Sequence, residues 1–271
     1  VDDPTVEEKR ETNPALTWGA GAVSLEYRPL VSDSAMVHAQ FLLATNLERE
    51  AAFDALEIWS PDQELDEDAC AIVATTAPAN DDPTLRLLSV NEITVETSEN
   101  AYQLPERRLP DAISSVSGVV YGNDEGFDQE EIFIPFEPGS TYVIRAEGSD
   151  EMSGFEVELL APEPVLFETI GGQMIDDERN LHIPQNEDLT LTWIPSDSRS
   201  ELFLELSGEQ TMTCRLTNDG EFVVPRRLLE SVGTSLDAAL RTIDVRTITI
   251  DELGPTEFVV GTTDDVSLTL D

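Results

Sequence analysis

Lysine is almost absent. Lys9 is the single one in 271 residues, and together with fourteen arginines it faces 56 Asp and Glu, for a net charge of −41. Such a field repels phosphate backbones and anionic headgroups, which excludes nucleic-acid binding and electrostatic docking to a membrane. Long hydrophobic runs are missing too: no stretch reaches the roughly 18 apolar residues of a membrane-spanning helix. Histidine occurs only at His38 and His182, and cysteine only at Cys70 and Cys214. So few imidazoles and thiols leave little from which to build a nucleophile–base pair or a zinc site. Aromatic residues make up 6%; Trp18, Trp59 and Trp193 are too dispersed to form a sugar-stacking platform.

Catalytic signatures are equally scarce. There is no G-x-S-x-G elbow, no H-E-x-x-H and no Walker loop. WGAGAVS (18–24) has two glycines of a dinucleotide fingerprint but lacks the third and the surrounding βαβ unit, so it reads as a kinked strand. Gly171-Gly172-Gln173 matches a peptide-release tripeptide, which a chain of this charge has no means of presenting to ribosomal RNA. Among 56 acids, carboxylate pairs at glycosidase spacing arise by chance and carry no information. The expectation is a protein that is not an enzyme.

What is present is acid, evenly spread. Through Leu160 there are 34 acidic and 8 basic residues, and from Ala161 onward 22 and 7. This is a coat over the whole surface rather than an acidic tail, and it suits a salty or cation-rich medium. The 40% hydrophobic content is that of a folded chain.

Period-two and β-rich runs dominate the pattern: 22–28, 36–44, 70–76, 84–97, 117–122, 131–136, 141–148 and 155–161, then 179–184, 188–194, 201–208, 211–217, 221–225, 241–250, 256–263 and 266–271. Strands every ten or so residues with turn clusters between them predict an all-β protein of two β-sandwich domains, Ig-like and of Greek-key type. One or two short helices are expected: one at PRRLLESV (225–232), with Pro225 in its first turn and Gly233 past its end, and NLEREAAFDALEIW (46–59) reads as a second or, alternatively, as two ragged strand pieces. APEPV (161–165) forms a stiff joint. The resulting domains are a flexible acidic leader at 1–14, an N-terminal sandwich at 15–162 and a C-terminal sandwich at 163–271. The chain starts at Val1 rather than methionine, so a preceding signal or other segment is expected to have been removed.

Met212, Cys214 and Leu216 share one face of a strand, which makes Cys214 a core thiol in the favoured reading and a disulfide partner of Cys70 in the alternative. His38 falls on the face opposite Val37, Ala39 and Phe41, and Trp193 alternates with Leu189 and Leu191 into the core. Calcium needs clustered oxygen ligands. GNDEGFDQEE (122–131) gathers them, with Asp124, Asp128 and Glu130 as candidate ligands beside Asn123; ELDEDAC (64–70), with Asp66, Glu67 and Asp68, is a second cluster. Neither follows the EF-hand order, and a solvated acidic loop is the favoured reading of both. No other cofactor is indicated.

The runs LTLTWIPSDS, TMTCRLTNDGEFVVPRRLLESV and RTIDVRTITI resemble a module of exported proteins and lipoproteins of myxobacteria and related δ-proteobacteria. LLSVNEITV and FEPGSTYVIRAEGSDEMSGFEVELLAPEPV resemble the domain that precedes it there. The resemblance implies export, an Ig-like sandwich and no assigned chemistry; the lipid-bearing cysteine usual near the N-terminus is not in this chain. The function expected is an exported, non-catalytic interaction or scaffolding protein of the cell envelope or its exterior, with an unidentified protein or surface partner. A calcium-dependent or small-ligand module, carbohydrate included, is the alternative, and a hydrolase the third.

Self-repulsion of this magnitude is relieved as the screening length shrinks from about 10 Å at 0.1 M salt to about 3 Å at 1 M. The melting temperature measured by calorimetry is therefore expected to rise with NaCl over that range; a flat or falling curve contradicts the salt-adapted reading.

Overall fold

The structure is a computed structural model that describes residues 17–56, 58–60, 65–73, 83–109, 116–123, 132–184, 187–196 and 199–271. It is all-β, as the alternating pattern requires. The first half holds β1 (Thr17–Tyr27), β2 (Met36–Thr45), the helix α1 (Arg49–Ala55), β3 (Ala69–Val73), β4 (Thr84–Leu87), β5 (Ile93–Glu96) and β6 (Ala101–Leu104). It continues with β7 (Glu106–Arg108), β8 (Val116–Ser117), β9 (Val119–Gly122), β10 (Thr141–Gly148) and β11 (Ser153–Leu160). The second half holds β12 (Phe167–Ile170), β13 (Gln173–Met174), β14 (Asn180–Ile183), β15 (Leu189–Trp193), β16 (Glu201–Ser207) and β17 (Thr211–Leu216). It ends with β18 (Glu221–Val224), α2 (Arg226–Val232), β19 (Ser235–Ile250) and β20 (Gly254–Leu270).

One large sheet runs β3-β17-β16-β19-β20-β1-β2-β4-β8. Two four-stranded sheets, β11-β10-β5-β6 and β13-β12-β15-β18, pack on its inner face. In the first sandwich Val23, Leu25 and Phe41 of the large sheet meet Val95, Ile144 and Phe155. In the second, Leu204, Met212 and Leu240 meet Ile170, Leu191 and Trp193. The strict burial alternation of β11 and β15 reflects the two-residue period of a strand with one face on a core.

The last hairpin belongs to both sandwiches. Leu236, Leu240, Val266 and Leu268 lie in the second cluster, whereas Ile250, Leu253, Phe258 and Val260 lie in the first. At about 3.3 Å per residue the 17 residues of β20 span roughly 55 Å. Three hairpin carboxylates fasten the small sheets to it. Glu252 accepts from Ser153 N and Oγ at 3.1 and 2.7 Å, Asp244 accepts from Leu160 N at 3.3 Å, and Asp264 accepts from Phe167 N at 2.8 Å. The proline-bearing joint thus enters and leaves under an aspartate. Asp264 is buried and paired with Arg179, which offsets part of the cost of desolvating its charge.

Several expectations change in detail. The runs at 256–263 and 266–271 are one strand, β20, because Asp264–Asp265 between them is held inside the sheet. The run 84–97 is two strands in different sheets, broken at Asn91, where φ is +60°. Of the expected strand at 131–136, the described residues 132–136 make only the isolated bridge Ser34–Pro135, since Pro135 has no amide to donate. WGAGAVS is not a kink: β1 pairs with β2 in unbroken register from Thr17 to Glu26. Its glycines admit the returning hairpin, as a Cβ on Gly19 would stand 2.8 Å from Leu253 Cα and one on Gly21 2.5 Å from Thr256 Cγ2. Both expected helices form, α2 between Pro225 and Gly233.

Cys70 and Cys214 form a disulfide rather than leaving a core thiol free. They are directly opposite on β3 and β17, and the bond closes 144 residues of chain. Chain-entropy reasoning puts its stabilisation at up to about 5 kcal/mol for a loop of that size. Without it, β17 is the one strand among the described residues that holds β3.

Candidate functional site

The outer face of the large sheet carries a trough of about 340 Å³ over its central strands. Its floor is low because small residues, Ala22, Ser24 and Gly261, occupy the outward positions of β1 and β20. Cross-strand pairing sets Gln40 beside Ala22 and His38 beside Ser24, so β2 forms one wall. The strap that follows α1 forms the roof, with Leu56, Ile58 and Trp59.

Glu257 of β20 holds the start of α1 and the end of the strap together. Its carboxylate accepts from Arg49 at 2.7 Å and from Ser60 Oγ at 2.6 Å. Gln40 Nε2 donates to Leu56 O at 3.3 Å. Trp59 lies under the Arg241 guanidinium, 5.0 Å from ring centroid to Cζ, and meets the Phe203 ring edge-on at 5.9 Å. Such a cation–π contact contributes about 0.5–2 kcal/mol, more as it is desolvated.

Charges around the trough are matched. Arg241 donates to Glu26 at 3.1 Å and to Thr263 Oγ1 at 3.0 Å, with Glu205 at 3.6 Å. Arg28 bridges Glu26 at 3.3 Å and Asp265 at 3.4 Å. Burial works against the charge on Glu26, but Arg241, Thr263 and Arg28 together outweigh it and hold the carboxyl below its usual range. Burial raises Asp265 instead, since Arg28 and Arg241 do not fully offset it and Glu26 and Asp264 add repulsion.

Among the described residues, the Ser24 hydroxyl and the His38 imidazole on this face have no hydrogen-bond partner, and Gln40 Oε1 and Arg241 Nε are buried without one. Ser24 and His38 are cross-strand neighbours, yet no carboxylate orients the imidazole and no hydrogen bond joins the two, so a nucleophile–base–acid relay is not assembled. His38 stands on the outer face, as the alternation requires. His182 is exposed and far along the other half of the chain, 3.2 Å from Asp271.

A second feature is the edge of β3, which among the described residues pairs with β17 alone. Cys70 and Cys214 have Cα atoms 4.0 Å apart, the narrow spacing of an antiparallel pair that exchanges no hydrogen bonds. By the same alternation the peptide groups of Cys70 and Ile72 point away from β17. Ile72 is 37% exposed, and the sequence carries no charge from Ala69 to Asn80. Asp66 and Glu67, exposed and in no ion pair among the described residues, precede the strand.

The candidate calcium ligands Asp124, Asp128 and Glu130 lie outside the described residues. Asn123, beside them, is buried and spends its amide on the backbone: it accepts from Val37 N at 2.7 Å and donates to Ala35 O and Ile132 O, each at 2.8 Å. In the second acidic run Asp68 accepts from Thr217 N and Oγ1. Among the described residues no group of three or more His, Cys, Asp or Glu converges to hold a metal. The tryptophans separate as expected: Trp18 donates to Leu47 O, Trp193 is buried in the second cluster and Trp59 faces the trough. Sequence pattern does place Met36, His38 and Gln40 on one face, but nothing local shows that the strap crosses above them.

No protein-family model matches the chain, and no curated protein matches it. Among solved structures, the crystal structure of chicken CNTN1 FN1-FN3 domains is similar at 16% identity, over 72% of this chain and 65% of that one, with a TM-score of 0.19. The chain therefore spans less than two thirds of that neighbour. A likeness this faint fixes neither ligand nor partner.

The shifts of Glu26 and Asp265 have opposite signs. Glu26, lowered from 4.5, contributes stability that is present above that pH and is lost as pH falls through its folded value. Asp265, raised from 3.8, costs stability as pH climbs through its folded value. In urea titrations Glu26→Gln is expected to lose about 2 kcal/mol at neutral pH, with the deficit shrinking in acid. Asp265→Asn is expected to be neutral or stabilising at neutral pH, with no difference in strong acid. A Glu26→Gln deficit that does not change with pH contradicts this assignment.

Proposed function

We propose that the protein is a non-catalytic, exported interaction module that binds an extended, basic segment of a partner along the open edge of β3. The observation that carries this reading is an uncharged edge strand, pinned by a disulfide, on a chain of −41. Exposed edges usually carry charge, proline or a bulge that blocks pairing. Here the outward peptide groups of Cys70 and Ile72 offer a ladder for β-augmentation. Asp66 and Glu67 next to it favour a lysine or arginine on the incoming strand, and the net charge speeds the encounter.

Export is supported by the disulfide, since such bonds persist in oxidising compartments, and by the resemblance to exported two-domain modules. No helix among the described residues is long and apolar enough to cross a membrane. The matched charges of the trough and the absence of a relay between Ser24 and His38 favour binding over catalysis.

The test is selection of displayed octapeptides on the intact protein. Enriched sequences are expected to be β-branched with at least one Lys or Arg, and to bind about tenfold or more weakly to Ile72→Pro. That substitution removes an outward amide but no bond to β17, so its melting temperature should change little. Selected peptides that are acidic, or that bind Ile72→Pro as well as wild type, would sink the reading.

A further inference from the structure

We infer that the trough beneath the strap is a binding site for a small, uncharged, hydroxyl-rich ligand of sugar-ring size. The inference is independent of the edge of β3. It rests on size, on charge and on the unsatisfied groups. The volume of about 340 Å³ lies at the small end of ligand pockets. Larger hollows beside Gly148 and beside Leu104 open broadly to solvent and have no roof.

Charge decides against an ionic ligand. Each carboxylate at the trough already has a guanidinium: Glu257 has Arg49, Glu26 has Arg241, and Asp265 has Arg28. A charged ligand would have to break one of these pairs and leave its partner uncompensated in a half-buried place. A neutral ligand disturbs none of them.

The remaining groups describe its surface. Gln40 Oε1, buried and unpaired, requires a donor. Ser24 and His38 next to it can each donate or accept. Opposite this polar row the walls are aliphatic, from Ile58, Ile243 and Val259. A ring with hydroxyls along one edge and C–H groups on its face satisfies both sides at once. It needs no stacking platform, since the face of Trp59 is already taken by Arg241. So few polar contacts imply affinity in the millimolar range.

The experiment is saturation-transfer NMR on the intact chain with D-glucose, D-galactose and N-acetyl-D-glucosamine as probes, and acetate and guanidinium as charged controls. At least one sugar is expected to bind saturably, shifting the Trp59 indole and His38 signals, while the charged controls shift neither. Gln40→Met is expected to weaken that sugar about fivefold or more, and Ser24→Phe to abolish binding by filling the floor. Ser24→Ala, which keeps the fold while removing the hydroxyl, should weaken it too if Ser24→Phe does not fold. The inference is overturned if none of the three sugars binds, if binding is the same in Gln40→Met and Ser24→Ala, or if a charged control occupies the trough.

Discussion

Everything in this molecule hangs on the C-terminal hairpin. β19 and β20 stay paired without a break from Ser235–Thr269 to Ile250–Gly254. On one face they pass from the second cluster into the first, with Thr242 and Thr262 opposite each other where one gives way to the other. Their other face carries Arg241, Glu257 and Val259, and so one side of the trough and the clasp of the strap. A one-residue slip in this pair would exchange the two faces and lose both cores together with the site. Gly19 and Gly21 exist at the one place where the returning tip needs room.

The acid has two jobs that composition alone does not separate. Many carboxylates are exposed on the surface. A few are anchors, accepting bonds that join one layer to another: Glu252, Asp244 and Asp264 on the small sheets, Glu257 on the strap. Three arginines serve the little-exposed acids, Arg28 and Arg241 at Glu26 and Arg179 at Asp264. At these places an unpaired carboxylate would be costly.

The alternation of apolar residues made the strands legible, since a half-buried strand must repeat every two residues. Caps made α2 legible, through Pro225 and Gly233. What stayed hidden were relations between distant segments. Asp264–Asp265 divides the last strand into two runs until Arg179 and the Phe167 amide are seen to hold it in the sheet. Gly19 and Gly21 resemble a kink until Leu253 and Thr256 are placed against them. Cys70 and Cys214 are 144 positions apart, so nothing local tells a bonded pair from two core thiols. The trough is the extreme case. MVHAQF displays His38 and Gln40 on one face, but the strap, the floor and the charge pairs come from four other segments.

If the hairpin is the common spine, the two sandwiches cannot unfold separately. Native-state hydrogen exchange on Phe258→Ala measures this directly. Phe258 is fully buried in the first cluster only, and its truncation should cost about 3–5 kcal/mol. The account predicts that amides of β15, in the second sandwich, lose as much protection as those of β10, in the first. Unchanged protection in β15 while β10 loses it would show two independent units and contradict the shared spine.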